Sequence, residues 1–231
     1  HHRMQVWRYR YVMILKDYGK DVTINEPLNY NREEFLCSYD SKECFNSDLK
    51  LWSKENLISY GKLPNGKIMI NWPIYGNDYY VNSIEMNESE REFHYEKAKQ
   101  KSLRFLYFIQ TEMNYNNLSI DKQEFLTKDG FPKIPYYRES RRIKGKVTLN
   151  LNHIKDPYSH KYSIYKTGIA VGDYPVDHHH NAHPKYKELP KLDFYPIPSY
   201  SVPLGSLIPE NINNFIVIEK SISVSNLVNG T

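Results

Sequence analysis

Two stretches of the sequence concentrate side chains able to do chemistry. Tyr136-Tyr137-Arg138-Glu139-Ser140-Arg141-Arg142 sets three arginines within five residues around one carboxylate. A planar guanidinium fork suits carboxylates, phosphates and sugar hydroxyls. On a solvated edge strand the same residues would make only a weak surface ion pair. The second stretch is Gly172-Asp173-Tyr174-Pro175-Val176-Asp177-His178-His179-His180, with His183 close behind. It gathers four of the nine histidines beside two carboxylates. Imidazole moves protons near neutral pH and ligates transition metals. On an extended chain His178 and His180 share a face that His179 opposes. The spacing matches no standard zinc pattern, so no metal is expected, and a catalytic or structural His–Asp pair is the better reading. A third segment, 213–223, reads as a short buried strand over 214–219 that ends in small polar residues. From such a strand end, α/β enzymes deliver groups to a cofactor.

The absences are as informative. The ten glycines stand singly, and no Gly-x-Gly-x-x-Gly, P-loop or Gly-x-Ser-x-Gly occurs. The sequence therefore carries no phosphate cradle. The net charge of +4 is small and spread along the chain, with one dense basic cluster at 138–146, which argues against a nucleic-acid surface. No run approaches the roughly 18 apolar residues of a membrane span. Two cysteines, Cys37 and Cys44, form at most one bridge, and one bridge does not choose between bacterial cytoplasm and periplasm. Tyrosine is abundant, 21 residues, and suits half-buried sheets and wet clefts.

These groups need a frame. Residues 4–15 alternate, with Trp7, Tyr9, Tyr11, Met13 and Leu15 on one face, so a strand is expected. Arg8 and Arg10 on its other face require solvent or an acidic partner. A short strand is expected at 67–72, and a short helix near Trp52 and Leu57. The best helix runs over about 88–112. Asn87 and Glu90 cap it, and Tyr95, Ala98, Ser102, Phe105 and Ile109 form a packing stripe. From 145 onward β structure is expected, with strands at 146–151, 164–171 and 214–219. Seven of the thirteen prolines fall in 175–209 and imply an extended passage.

In order along the chain, several motifs resemble one family. They are Gln5 with Tyr9-Arg10, Leu63-Pro64-Asn65-Gly66-Lys67 with Ile70-Asn71, and Leu106-Tyr107-Phe108. After them come Tyr137-Arg138-Glu139-Ser140-Arg141-Arg142, Tyr174-Pro175-Val176-Asp177-His178-His179, Ile197-Pro198 through Leu207-Ile208-Pro209, and Ser221-Ile222-Ser223. The series is similar to the bacterial FAD-dependent oxidoreductases, Bacteroidetes included, some of which carry a xanthan-lyase label. Glu219-Lys220 departs from the Gly-Arg of many relatives. The family's flavin fingerprint belongs before residue 1, and its Gly/Ala-rich closing segment after Thr231.

The resemblance implies an α+β fold: a β-rich substrate domain with one long helix over 1–204, and a partial return to a Rossmann-like FAD domain over 205–231. It implies FAD as cofactor and substrate oxidation by hydride transfer to flavin. The expected substrate is a hydroxyl- or sugar-type small molecule. His179 would take the hydroxyl proton, with Asp177 orienting it and His178 beside it. Arg138, Arg141 and Arg142 would clamp an anion or substrate, or knit two domains together. Ser221, Ser223, Asn229 and Gly230 would face the cofactor. A chain without the fingerprint is expected to be inactive and to bind little FAD. A carbohydrate-binding or polysaccharide-cleaving domain is the alternative, with Trp72, Tyr75, Tyr79 and Tyr80 as stacking surfaces.

Overall fold

The computed structural model describes residues 8–46, 49–137, 140–160, 164–177, 188, 192 and 194–231. The chain is α+β, with small antiparallel sheets and one long helix. Its described residues divide into two compact units, one spanning 8–137 and the other lying within 140–231.

In the first unit the opening alternation runs through two strands, β1 (Arg8–Arg10) and β2 (Met13–Asp17). β1 lies between β4 (Tyr79–Tyr80) and β6 (Tyr136–Tyr137); β2 lies between β3 (Ile68–Ile70) and β5 (Leu118–Ile120). All four pairings are antiparallel. The ladder changes partner at Tyr11-Val12, yet the period of two survives, so Tyr9, Tyr11, Met13 and Leu15 all enter one core. On the other face the acidic partner is Asp78. Arg8 Nη1 donates to its Oδ2 at 2.9 Å, and the Arg10 guanidinium donates to its Oδ1 and to Asn71 Oδ1.

The long helix α2 (Glu88–Thr111) starts as the local chemistry dictates. Asn87 Oδ1 accepts from Glu90 N at 3.0 Å and Glu90 Oε2 accepts from Asn87 N at 2.8 Å. Ala98, Ser102, Phe105 and Ile109 are buried, and Tyr95 packs edge-on against Tyr9 and Tyr11. Each large side chain on this stripe contributes roughly 1.5–3 kcal/mol by leaving water. Ser102 Oγ donates to Tyr11 O at 2.8 Å and so ties helix to strand. The short helix α1 (Lys54–Tyr60) is capped by Ser53, so Trp52 lies just outside it and Leu57 inside. Cys37 and Cys44 form a disulfide.

The second unit has little regular structure. Strand β7 (Gly168–Gly172) pairs antiparallel with β8 (Tyr200–Pro203), and α3 (Leu151–Lys155) is a single capped turn. Its core is small: Leu149, Ile154, Val176, Tyr200, Val224 and Val228. Three expected strands differ. At 146–151 there is no strand, because the backbone donors are split between two segments: Lys146 N and Val147 N donate to Ile208 O and Gly205 O, and Leu149 N to Ser223 O. The 164–171 stretch starts as a 3-10 turn over Ile164–Thr167 and becomes β7 only at Gly168. The 214–219 segment is neither strand nor buried: Phe215, Ile216 and Ile218 are 52%, 60% and 69% exposed. Apolar residues specify a strand only where a neighbouring ladder receives them, and among the described residues one backbone bond, Val217 N to Leu207 O at 2.9 Å, is not continued into a ladder. No helix of the described residues is long and apolar enough to cross a membrane.

Candidate functional site

In the second unit the arginine-rich segment meets the serine-rich one. Ser140 Oγ and Ser221 Oγ are 2.8 Å apart, and Ile143 N donates to Ser221 O at 3.0 Å. Further along the same strip, Thr148 Oγ1 and Ser223 Oγ are 2.8 Å apart, and Leu149 N donates to Ser223 O at 3.0 Å. Ser223 N in turn donates to Ser206 O at 2.8 Å. Segments 140–149, 205–210 and 221–225 therefore converge although they lie up to about eighty residues apart in sequence.

Glycine permits the approach. A Cβ on Gly145 would stand 2.7 Å from Ser223 Cβ and 2.9 Å from Gly205 O, and one on Gly205 would stand 2.7 Å from Val147 Cγ2. Arg141 (exposed) and Arg142 (half-buried) sit between the two anchor points, so their backbone is held. Arg138, the first arginine of the motif, lies outside the described residues, as does Glu139.

Asp177 is buried, 7% exposed. The preceding Val176 is fully buried and exchanges backbone hydrogen bonds with Tyr195 at 2.9 and 3.1 Å, which draws this part of the chain inward. His178 and His179 lie outside the described residues, so no Asp–His geometry is read. The strand before Asp177 is also packed closely: a Cβ on Gly172 would stand 2.5 Å from the Tyr200 ring. Burial, then the Asp173 charge, raise the Tyr200 hydroxyl above its ordinary pKa, so it stays protonated as a donor.

A cavity of about 220 Å³ opens in this unit, lined by Leu149, Ile222, Val228, Asn229, Glu219 and Lys220 among others. Of the four residues expected at the cofactor, Asn229 lines it. Ser221 and Ser223 hydrogen-bond into the 140–149 strip, and Gly230 is buried in a terminal 3-10 turn, Val228–Gly230. Small-molecule pockets run to about 300–1,000 Å³, and a dinucleotide pyrophosphate needs backbone amides at a glycine turn entering a helix. Gly145, Gly168, Gly172 and Gly205 pack singly against side chains or carbonyls, and the α-helix among this unit's described residues is one turn. The described residues do not fit a whole FAD.

The aromatic residues proposed for sugar stacking do not form one open platform. Trp72 is buried, 5% exposed, and its indole donates to Ser38 O at 2.8 Å. The Tyr79 hydroxyl is 2.9 Å from His94 Nδ1. No group of three metal-ligating side chains occurs among the described residues. Sequence reasoning missed Gly145, Thr148, Gly205 and Ser206. Each is an ordinary small residue in a loop, and no spacing signals that these loops face one another.

The chain belongs to the FAD dependent oxidoreductase family, which matches residues 3–231. No curated protein matches it, and no solved structure does.

Proposed function

We propose that this chain supplies the substrate side of an FAD-dependent oxidoreductase that oxidises a hydroxyl-bearing small molecule, sugar-like in character, by hydride transfer to flavin. The observation that carries the reading is the convergence of 140–149 with 221–225, which anchors Arg141 and Arg142 on a fixed strip. Fixed guanidinium forks bind a carboxylate or polyol with less entropy lost than free ones. Within the family, FAD is the electron acceptor. His179 removes the hydroxyl proton, Asp177 orients the imidazole, His178 flanks the pair, and Arg138, Arg141 and Arg142 hold the substrate's anionic or hydroxyl groups. Residues 1–204 serve the substrate and 205–231 belong with the flavin-binding part. The exposed apolar run at Phe215, Ile216 and Ile218 supports that last assignment, because it is a strand-like sequence without a ladder.

Two measurements test this. The 231 residues alone, purified and mixed with FAD, should show no stoichiometric flavin absorbance; a yellow 1:1 complex would refute the assignment of the cradle to other residues. In the intact enzyme, His179→Ala should slow turnover by roughly 10²–10⁴-fold. Unchanged turnover would remove His179 from the mechanism.

A further inference from the structure

The sequence holds two Asn-Gly pairs, Asn65-Gly66 and Asn229-Gly230, and the fold treats them differently. In the first unit Pro64, Asn65 and Gly66 form a hairpin loop, closed by the Lys62–Ile68 bridge and by Leu63 N, which donates to Lys67 O at 2.8 Å. Asn65 and Gly66 are both exposed, and Gly66 stands in the left-handed region at φ +80°. A Cβ built on Gly66 would meet no atom within 4 Å, so the space around this peptide is open. The Asn65 side chain folds back on the loop: its Oδ1 accepts from Lys67 N at 3.1 Å. Gly66 N donates to Leu63 O at 2.9 Å, one turn bond at an exposed loop tip, which opens locally at low cost. The second pair is held inside its unit. Gly230 is buried in the Val228–Gly230 turn, Asn229 N donates to Ser225 O at 3.0 Å, and Val228 belongs to the small core. Turning the Asn229-Gly230 peptide would pull that core residue with it.

From this contrast we infer that Asn65 is a self-modifying site, converting to aspartate and isoaspartate ahead of every other asparagine in the chain. Gly66 N gives its proton to solvent base and bonds to Asn65 Cγ. The Cγ–Nδ2 bond then breaks, and the side-chain nitrogen leaves as ammonia with a proton from water. A five-membered imide remains. Water opens it at Cγ to give aspartate, or at the main-chain carbonyl carbon to give isoaspartate. The net change is one water consumed and one ammonia released, with no oxidant or reductant. Negative charge develops on Oδ1 during the attack, and Lys67 N already donates to that atom. Glycine as the following residue places no side chain in the path of the attacking nitrogen. Isoaspartate adds a main-chain methylene inside the Leu63–Lys67 loop, directly before β3. It also brings a carboxylate near Lys67, whose Nζ already meets Asp121 Oδ2 and Glu124 Oε2 at 2.7 Å each. The inference goes beyond the oxidoreductase reading and does not depend on it, since the reaction needs neither flavin nor substrate.

The test is incubation of the folded 231-residue chain at about pH 8, followed by digestion and mass spectrometry of every asparagine. Asn65 should convert fastest, at least tenfold faster than Asn229. In unfolding urea the two sites should react at rates within a few-fold of each other, because only the fold separates them. Conversion at Asn65 should quicken as pH rises, since the attacking nitrogen must lose a proton. Asn65→Gln should remove the acidic isoform that ion exchange resolves, because glutamine would have to close a larger, slower-forming ring. No conversion at Asn65 in the folded chain, an Asn229 that keeps pace with it there, or an acidic isoform that survives Asn65→Gln would each overturn the proposal.

Discussion

Replacing Asp78 with Asn keeps the shape of the side chain but withdraws the charge that Arg8 and Arg10 share. The three side chains are 2%, 7% and 8% exposed for Asp78, Arg8 and Arg10 respectively. Water therefore cannot replace the lost carboxylate. Removing one partner of a buried ion pair costs about 3–5 kcal/mol, because the remaining charge stays desolvated. Against a typical domain stability of about 5–15 kcal/mol that is a large share. With a urea dependence of about 2 kcal/mol per molar, a 4 kcal/mol loss moves the unfolding midpoint by about 2 M. Trp52 and Trp72 lie in the first unit, edge-to-face with centroids 5.7 Å apart, so tryptophan fluorescence follows the unit concerned. Glu43→Gln is the control. Its carboxylate pairs with Arg32 at 2.7 Å, but the two side chains are 60% and 39% exposed, and such pairs contribute about 0–1 kcal/mol. If Asp78→Asn shifts the midpoint no more than Glu43→Gln does, the buried cluster is not what holds β1 to the Asp78 loop.

Two further predictions concern the second unit. Alanine at Gly145 should lower the thermal midpoint, with a cost of about 1–3 kcal/mol, because its methyl would press on Ser223 Cβ and Gly205 O; a midpoint equal to or above the wild type would contradict the close approach. His153 Nδ1 accepts from Asn150 N at 3.2 Å in a capping box, and burial, then His160, hold its pKa below the ordinary histidine value. A histidine kept neutral on folding stabilises fully above its unfolded pKa of about 6.5, and that contribution is lost as pH falls below it toward the folded value. His153→Gln keeps the capping acceptor without titrating. Melts followed by circular dichroism at about pH 7.5 and 5.5 should show a larger acid loss in the wild type than in the variant. Equal losses would remove His153 as the cause.

The sequence alone was enough for structure that is decided within a few residues. The start of α2 follows from Asn87 and Glu90, and its buried face from the spacing of Ala98, Ser102, Phe105 and Ile109, because capping and helical period are local properties. Alternation likewise placed Tyr9 to Leu15 in the core and showed that Arg8 and Arg10 need solvent or an acid. It was silent on which acid, since Asp78 is 68 residues from Arg10 and only the antiparallel pairing of β1 with β4 brings it near. The same limit explains the strands expected at 146–151 and 214–219. A period of two describes a strand's faces but not its neighbours, and a strand exists only when another ladder receives it. The motifs with Arg141, Arg142, Asp177 and Ser221 were legible as residue types. The meeting of Ser140 with Ser221 and of Thr148 with Ser223 was not. That was settled by tertiary packing around Gly145 and Gly205, where the absence of a side chain lets three distant backbones touch.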